Sequence, residues 1–283
     1  MNILVGVLVT IENEYNDCIN SIRSQSYADY KIFEINNKPK NIAHDLLFSY
    51  FSENKDKYDI LIKIDADMVI ADNNLFKDII REFKENKRLD RLFIPVFDHF
   101  VGRNLGGVNV YRNTVKWDKN KDNYFTDRGH KKDTIRDNKS WQIPENTPII
   151  HHCPNPSNYQ AFHFGLHRMM KALQPGKINA KINKIHWRTI RWILEKHKNN
   201  KTDNLKYALM GADCALSFKL KDHNLSYGDE KVQELYEMYD NSAKNLINYN
   251  SSINILVKSM KYSYPYDYWC MFLKYRMGAL LIK

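Results

Sequence analysis

The stretch Asp59-Ile60-Leu61-Ile62-Lys63-Ile64-Asp65-Ala66-Asp67-Met68-Val69-Ile70 decides the fold. Residues 59–64 carry a short, almost unbroken apolar run, which predicts a strand buried on both faces of a sheet. Two carboxylates follow it at once, at the strand's carboxyl end. Three further runs of the same kind flank it: Ile3-Leu4-Val5-Gly6-Val7-Leu8-Val9-Thr10, residues 30–35 and residues 92–97. Between the runs lie segments with apolar side chains at helical spacing. Residues 14–25 present Cys18, Ile19 and Ile22, residues 41–51 present Leu46, Leu47 and Phe51, and residues 74–86 present Leu75, Ile79, Ile80 and Phe83. Strand and helix in strict alternation predict an α/β fold with a mostly parallel, doubly wound sheet and right-handed crossovers. Ligands of such sheets bind beyond the carboxyl ends of the strands, where Asp65 and Asp67 stand.

The rest of the chain reads differently. Residues 108–112 predict a short strand after Gly106-Gly107, and residues 116–139, dense in Lys, Asp, Asn and Arg, predict a long exposed loop. Helical patterns follow at residues 160–173, 184–198, 204–221 and 230–247. The composition (43% hydrophobic, 27% charged, 10 Gly and 8 Pro in 283 residues) excludes collagen-like, low-complexity and disordered classes. Lys plus Arg number 43 against 33 for Asp plus Glu, and the net charge of +10 points to an anionic partner: nucleotide, nucleic acid or an acidic membrane surface. The four cysteines form no CxxC pair, which excludes a zinc ribbon or a dithiol redox motif and suits reduced thiols in the cytoplasm. The N-terminal run lacks a basic segment and a small-residue cleavage site, so it reads as a first strand and not a signal peptide.

Two carboxylates two residues apart on an extended backbone point the same way. At the ligand edge of a sheet such a pair can hold Mg²⁺ or Mn²⁺ against a diphosphate and neutralise charge on a departing nucleoside diphosphate. Acids at strand ends also serve as caps and solvated turns. Here, the apolar strand before the pair and Met68-Val69-Ile70 after it favour a ligand role.

The sequence resembles the GT-A glycosyltransferases, family 2-like bacterial enzymes in particular. The matching pieces are Thr10-Ile11-Glu12-Asn13-Glu14 with residues 17–22, Ile35-Asn36-Asn37, Lys63-Ile64-Asp65-Ala66-Asp67-Met68, and Gly106-Gly107-Val108-Asn109-Val110-Tyr111-Arg112. The resemblance implies a GT-A-type sheet, a nucleotide-diphosphate-sugar donor, and Mn²⁺ or Mg²⁺ on Asp65 and Asp67. It implies a nucleoside site at Thr10, Glu12, Asn36, Lys63 and Asp65. Asn36 stands where the family often has Asp, and an amide can still pair with a base edge. It further implies a nucleotide-sugar-binding core over residues 1–112, an acceptor-side loop and helical region over 113–258 packed on that core, and an aromatic, basic tail over 259–283.

Four of the ten histidines fall in Ile149-Ile150-His151-His152-Cys153-Pro154-Asn155-Pro156 and Phe162-His163-Phe164-Gly165-Leu166-His167-Arg168. His151 or His152 suits completion of the metal site, held by the prolines that follow. His163 and His167 share a helix face, and a zinc site built from them needs a third ligand, for which Cys153 is nearest. Arg168 and Lys171 on the same helix can hold diphosphate oxygens. Plain packing or hydrogen bonding is the competing reading for all of these. Inverting transfer needs a base for the acceptor hydroxyl. Asp213 is one candidate, because residues 211–220 are loosely similar to the family's Gly-Glu-Asp-x-x-Leu-x-x-Arg-Leu element, with Ala212 where an acid is usual. Asp98, beside His99 at a strand end, is the other.

The tail, with Tyr262 to Tyr268, Trp269, Phe272, Leu273, Tyr275, Leu280, Leu281 and Ile282 among Lys261, Lys274, Arg276 and Lys283, suits peripheral contact with the inner face of a membrane. Docking on the core or on a second subunit suits it equally. The expected function is a cytoplasmic, metal-dependent, inverting glycosyltransferase of bacterial surface polysaccharide synthesis, moving a sugar to a glycan or lipid-linked acceptor. A nucleotidyltransferase is the rival enzyme, but Thr10 to Asn13 lacks its Gly-rich first loop. A basic nucleic-acid-binding protein is the rival without catalysis, but no RRM, KH or helix-turn-helix signature is present.

Overall fold

In a computed structural model, which describes residues 1–124, 126, 129–174, 180–222, 224–243, 246–266, 269 and 273, β1 (Ile3–Val9) lies between β2 (Tyr30–Asn36) and β3 (Ile60–Asp65), parallel to both. The remaining strands of this eight-stranded sheet are β4 (Met68–Ile70), β5 (Leu89–Asp98), β6 (Arg103–Arg112), β7 (Asp137–Ser140) and β8 (Ile150–His152). Their order is β2-β1-β3-β6-β5-β8-β4, with β7 also on β5. All strands except β4 and β6 share one direction, so the sheet is mostly parallel, as its sequence implies.

Alternation along β1 explains the layering. Ile3, Val5 and Val7 pack against Cys18, Ile19 and Ile22 of α1 (Tyr15–Arg23) and Phe76, Ile79, Ile80 and Phe83 of α3 (Leu75–Glu85). Leu4 and Leu8 pack on the other face against Ala43, Leu47, Phe48 and Phe51 of α2 (Lys40–Glu53). Apolar residues at every strand position are what two covered faces require.

Three sequence expectations change. The short strand at 108–112 is the end of a ten-residue strand, β6, which runs antiparallel between β3 and β5. Its first half, Arg103-Asn104-Leu105-Gly106-Gly107, carries no strand pattern of its own and pairs across an irregularity in β5 between Pro95 and Phe97. The loop at 116–139 is docked: Trp117 bridges His130, Asn120 hydrogen-bonds Asp45, the Asn41 N–H donates to Asn123, and Tyr124 and Thr126 are buried. It ends in β7, four polar residues beside the first half of β5. The expected boundary at 112 moves to 156, because β7 and β8 both return to β5.

The chain divides into two units, residues 1–156 with 226–228, and residues 157–225 with 229–283. The second unit is helical: α4 (Asn158–Ala172), α5 (Ala180–Asn199), α6 (Asp203–Ser217), α7 (Glu230–Ala243) and α8 (Leu246–Ser263). A capping box starts α4: Ser157 Oγ accepts the Gln160 N–H at 3.2 Å, and Gln160 Oε1 accepts the Ser157 N–H at 3.0 Å. Helices α4 and α6 touch backbone to backbone. A Cβ on Gly165 would lie 1.7 Å from the Ala208 carbonyl oxygen, and one on Gly211 would lie 1.9 Å from that of Phe162. The expected tail from 259 begins inside α8. Its residues Tyr268, Phe272, Lys274, Tyr275, Arg276, Leu280, Leu281, Ile282 and Lys283 lie outside the described residues. Among the described residues no helix is long and apolar enough to cross a membrane.

Candidate active site

β3 delivers the acidic pair to the carboxyl edge of the sheet, where Leu8 pairs with Asp65 and Val9 with Asn36. The exits of β1, β2 and β3 therefore lie side by side, and Thr10, Asn36 and Asp65 stand along one edge. Thr10 donates its N–H to Glu12 Oε2 at 2.6 Å, folding Glu12 back over the strand end. Burial, opposed by that hydrogen bond and reinforced by Asp67 and Asp65, pushes the Glu12 carboxyl up to about 7. Lys63 is buried, and its Nζ donates to Asp65 Oδ2 at 2.8 Å.

The two acids do not share a face by strand alternation. β3 ends at Asp65, Ala66 and Asp67 form a turn, and the Ala66 N–H donates to the Leu8 carbonyl at 3.0 Å. The turn carries Asp67 towards β8, which pairs with β4 so that Met68 lies opposite His152. Asp67 Oδ2 is 3.2 Å from His152 Nε2 and 3.6 Å from Cys153 Sγ, and Cys153 Sγ is 3.6 Å from His152 Nε2. Asp67 Oδ1 is buried without a hydrogen-bond partner among the described residues. Cys153 adopts a left-handed backbone (φ +48°), uncommon outside glycine, and its N–H donates to the Asp67 carbonyl at 2.8 Å. The following turn is clamped to the start of α1: buried Glu14 accepts the Asn155 N–H at 3.0 Å, and Asn13 donates to the Asn155 carbonyl at 2.7 Å.

Asp98 supports the cluster from below. It is fully buried, its Oδ1 accepts the N–H groups of Phe100 and Val101 at 2.9 and 3.0 Å, and its Oδ2 lies 2.9 Å from His152 Nδ1. Three partners and full burial leave it no route to a substrate hydroxyl. It orients an imidazole, and the expected role as base is withdrawn. Burial works against a charged His152, and Cys153, Asp67 and Asp98 outweigh it, so its proton is held well above the usual imidazole range. Burial raises Asp67 too, but the His152 charge and hydrogen bond prevail and hold it low. Burial pushes the Cys153 thiol up. His151 points to the other side of β8, where it shares a 2.9 Å hydrogen bond with His99, and burial lowers its proton affinity. Of the four expected metal ligands, then, the structure brings together Asp67 and His152. Asp65 is paired with Lys63 and His151 with His99.

The other expected residues lie in the helical unit. The Arg168 guanidinium stacks 4.7 Å over the Phe164 ring, Lys171 is buried on α4, and the His163 and His167 rings stack at 5.6 Å. Asp213 is buried and accepts hydroxyls from Ser217 at 3.1 Å, Tyr239 at 3.3 Å and Ser252 at 2.6 Å, tying α6 to α7 and α8. Its carboxylate is used up in joining helices, which argues against a base.

Sequence reasoning missed the convergence of Cys153 with Asp67 and the support from Asp98. The signal was there in part: Asp98-His99 and His151-His152 both end short apolar runs, and the parallel pairing of Phe97 with His151 and Asp98 with His152 joins them.

No family model matches the chain, and no curated protein matches it. Solved structures similar to the chain at low identity include the following. The crystal structure of S. aureus TarS matches at 11% identity and a TM-score of 0.37, over 89% of this chain and 55% of that one. S. aureus TarS 1-349 matches at 10% identity and 0.37, over 89% and 90%. A197 from STIV matches at 15% identity and 0.30, over 40% of this chain and 65% of that one.

Proposed function

We propose that this chain is a glycosyltransferase that moves a sugar from a nucleoside-diphosphate donor to an acceptor hydroxyl, with a divalent cation at Asp67 and His152. One observation carries the reading: at the ligand edge of a mostly parallel sheet, a carboxylate and an imidazole converge with an orphaned carboxylate oxygen between buried elements. A cation fits such a set of donors, and the cluster stands where such sheets bind ligands. The donor set fits a divalent ion, since Asp67 offers anionic oxygen and His152 a nitrogen whose opposite ring atom is fixed by Asp98.

In the reaction, the acceptor oxygen forms a bond to the sugar's anomeric carbon as the bond to the diphosphate oxygen breaks, and the hydroxyl proton passes to a base. A cation at this site supplies charge neutralisation on the departing diphosphate. The chain's own groups do the rest. Asp98 holds the His152 ring in place, and the Glu14 and Asn13 hydrogen bonds fix the turn behind Cys153. Thr10, Glu12 and Asn36 edge the neighbouring strand exits and provide polar groups for a nucleoside. A glycan or lipid-linked acceptor agrees with the basic surplus, which attracts anionic carriers.

The test is thermal shift with nucleoside diphosphates and sugar nucleotides, with and without Mn²⁺, Mg²⁺ or Zn²⁺. A true donor at a hundredfold excess over Kd stabilises by about 2.7 kcal/mol. Cation-dependent stabilisation by one sugar nucleotide, lost in Asp67→Asn, is the expected result. Stabilisation by nucleic acid alone rejects the reading.

A further inference from the structure

We propose that Asp67, His152 and Cys153 form a three-ligand site for a thiophilic divalent ion of the zinc class, with the Cys153 thiolate as a direct ligand and one coordination position open. The inference shares with the proposed transfer reaction a cation at Asp67 and His152, and goes beyond it in the third ligand and the kind of ion.

The spacing argues for it first. A tetrahedral zinc ion with bonds of about 2.3 Å to sulfur, about 2.0–2.1 Å to nitrogen and about 2.0–2.2 Å to oxygen sets the ligand atoms about 3.6 Å apart for sulfur with nitrogen or oxygen, and about 3.4 Å for nitrogen with oxygen. The three donor atoms lie 3.6, 3.6 and 3.2 Å apart in the same order. They make one face of such a tetrahedron. An octahedral magnesium ion with bonds of about 2.0–2.1 Å wants neighbouring oxygens about 2.9 Å apart and has little use for sulfur.

The chemistry agrees. Cys153 is buried, and the left-handed turn at its own backbone, locked by the Asp67 carbonyl, brings Sγ to the carboxylate. His152 is backed at Nδ1 by Asp98, itself held by two backbone N–H groups, the arrangement that fixes ring and tautomer in metal-bound histidines. Asp67 Oδ1 is a buried acceptor with an unmet need. On binding, the ion takes the thiolate, neutral His152 Nε2 and the Asp67 carboxylate, and the thiol and imidazolium protons pass to solvent. Three protein ligands leave the fourth position for an anionic oxygen, as in sites that act on a substrate.

The experiment reads the ion and not transfer, so it fails or succeeds independently of the sugar-nucleotide test. Co²⁺ is titrated into the reduced, chelator-stripped chain. The expected result is one equivalent bound with the intense visible absorption of four-coordinate cobalt and a near-ultraviolet sulfur-to-cobalt band. Cys153→Ser should lose the near-ultraviolet band and weaken binding at least about tenfold, the smallest loss usual even for groups that only support a ligand. Cys214→Ser should keep the band. A weak, octahedral cobalt spectrum in the wild-type chain, or a band unchanged in Cys153→Ser, overturns the proposal. Zinc-edge X-ray absorption of the wild-type chain decides the matter if Cys153→Ser does not fold: one sulfur among the nearest atoms supports the site, and none rejects it.

Discussion

Glu12 and Asp98 show how two carboxyl groups a few residues from the same cluster come to do different work. Glu12 is part-buried near two other acids, and its folded pKa of about 7 lies above the ordinary 4.5. Below about pH 4.5 the group is protonated folded or unfolded and contributes nothing to the pH dependence. As pH rises through 7 the folded chain must give up a proton it holds tightly, and stability falls, by at most about 3 kcal/mol and less with solvent screening. In metal-free protein, Glu12→Gln should therefore raise the melting temperature at pH 8 and leave it unchanged at pH 4. An equal shift at both pH values would show that the effect is packing and not charge. Asp98 does structural work: it is buried and satisfied by two N–H groups and an imidazole. Asp98→Asn should weaken cation binding by about 10–100-fold, the usual cost of losing a group that orients a ligand. If Asp98 were the base instead, cation affinity would hold while turnover disappeared; calorimetry with the cation alone separates the two.

Elements are joined here by a few dense contacts. β7 has no apolar face and pairs its backbone with β5, and the residue before it is tied there by Asp90, which is fully buried and takes the Arg136 guanidinium in two bonds of 2.7 and 2.8 Å, the Arg136 N–H at 2.8 Å and the Thr114 hydroxyl at 2.7 Å. Burial raises the Asp90 carboxyl, but these bonds prevail and hold it at about 2 against an ordinary 3.8. A depressed acid stabilises the fold above pH 3.8 and loses that contribution as pH falls towards 2, here about 2 kcal/mol. Asp90→Asn should lower unfolding free energy by about 2–4 kcal/mol at pH 7, because it leaves Arg136 and Arg112 without their carboxylate, and should flatten the acid limb of the stability curve. Urea unfolding at pH 7 and pH 3 measures both. In the helical unit the join is steric. Gly165 and Gly211 have no room for a methyl group against carbonyl oxygens, which cannot swing away as a side chain could. Gly165→Ala or Gly211→Ala should each cost at least about 3 kcal/mol by forcing α4 and α6 apart, whereas Ala172→Gly on the same helix should cost only about 1 kcal/mol.

At the scale of the whole molecule, what was legible in the sequence follows from what burial imposes on composition. β1 and β3 are covered on both faces and read as apolar runs; α1, α2 and α3 are covered on one and read as stripes. β7 is held by backbone pairing and by polar side chains, so no apolar pattern marks it, and β4 and β8 are three-residue strands whose apolar runs are too short to read as strands. The acidic pair was legible because it interrupts an apolar strand, but its partners were not, since Asp67 meets His152 and Cys153 only through a pairing across 86 residues. The charge of +10 was legible as well, and ambiguous between nucleotide and polyanion. Salt resolves that ambiguity. Exposed charges are screened over about 10 Å at 0.1 M salt, and part-buried groups much less. A nucleic-acid surface that neutralises 6–10 phosphates loses roughly 10³–10⁵ in affinity between about 50 and 200 mM salt. A sugar nucleotide held by a cation between Asp67 and His152, whose side chains are 22% and 14% exposed, depends on few exposed charges. Its cation-dependent affinity should fall by less than about tenfold over that same range, while binding of single-stranded DNA or RNA through surface lysines should nearly vanish. Parallel titrations of a sugar nucleotide and a homopolymer across the salt series give both slopes. A sugar-nucleotide slope as steep as that of the homopolymer would place the anion on the basic surface and away from the Asp67 cluster.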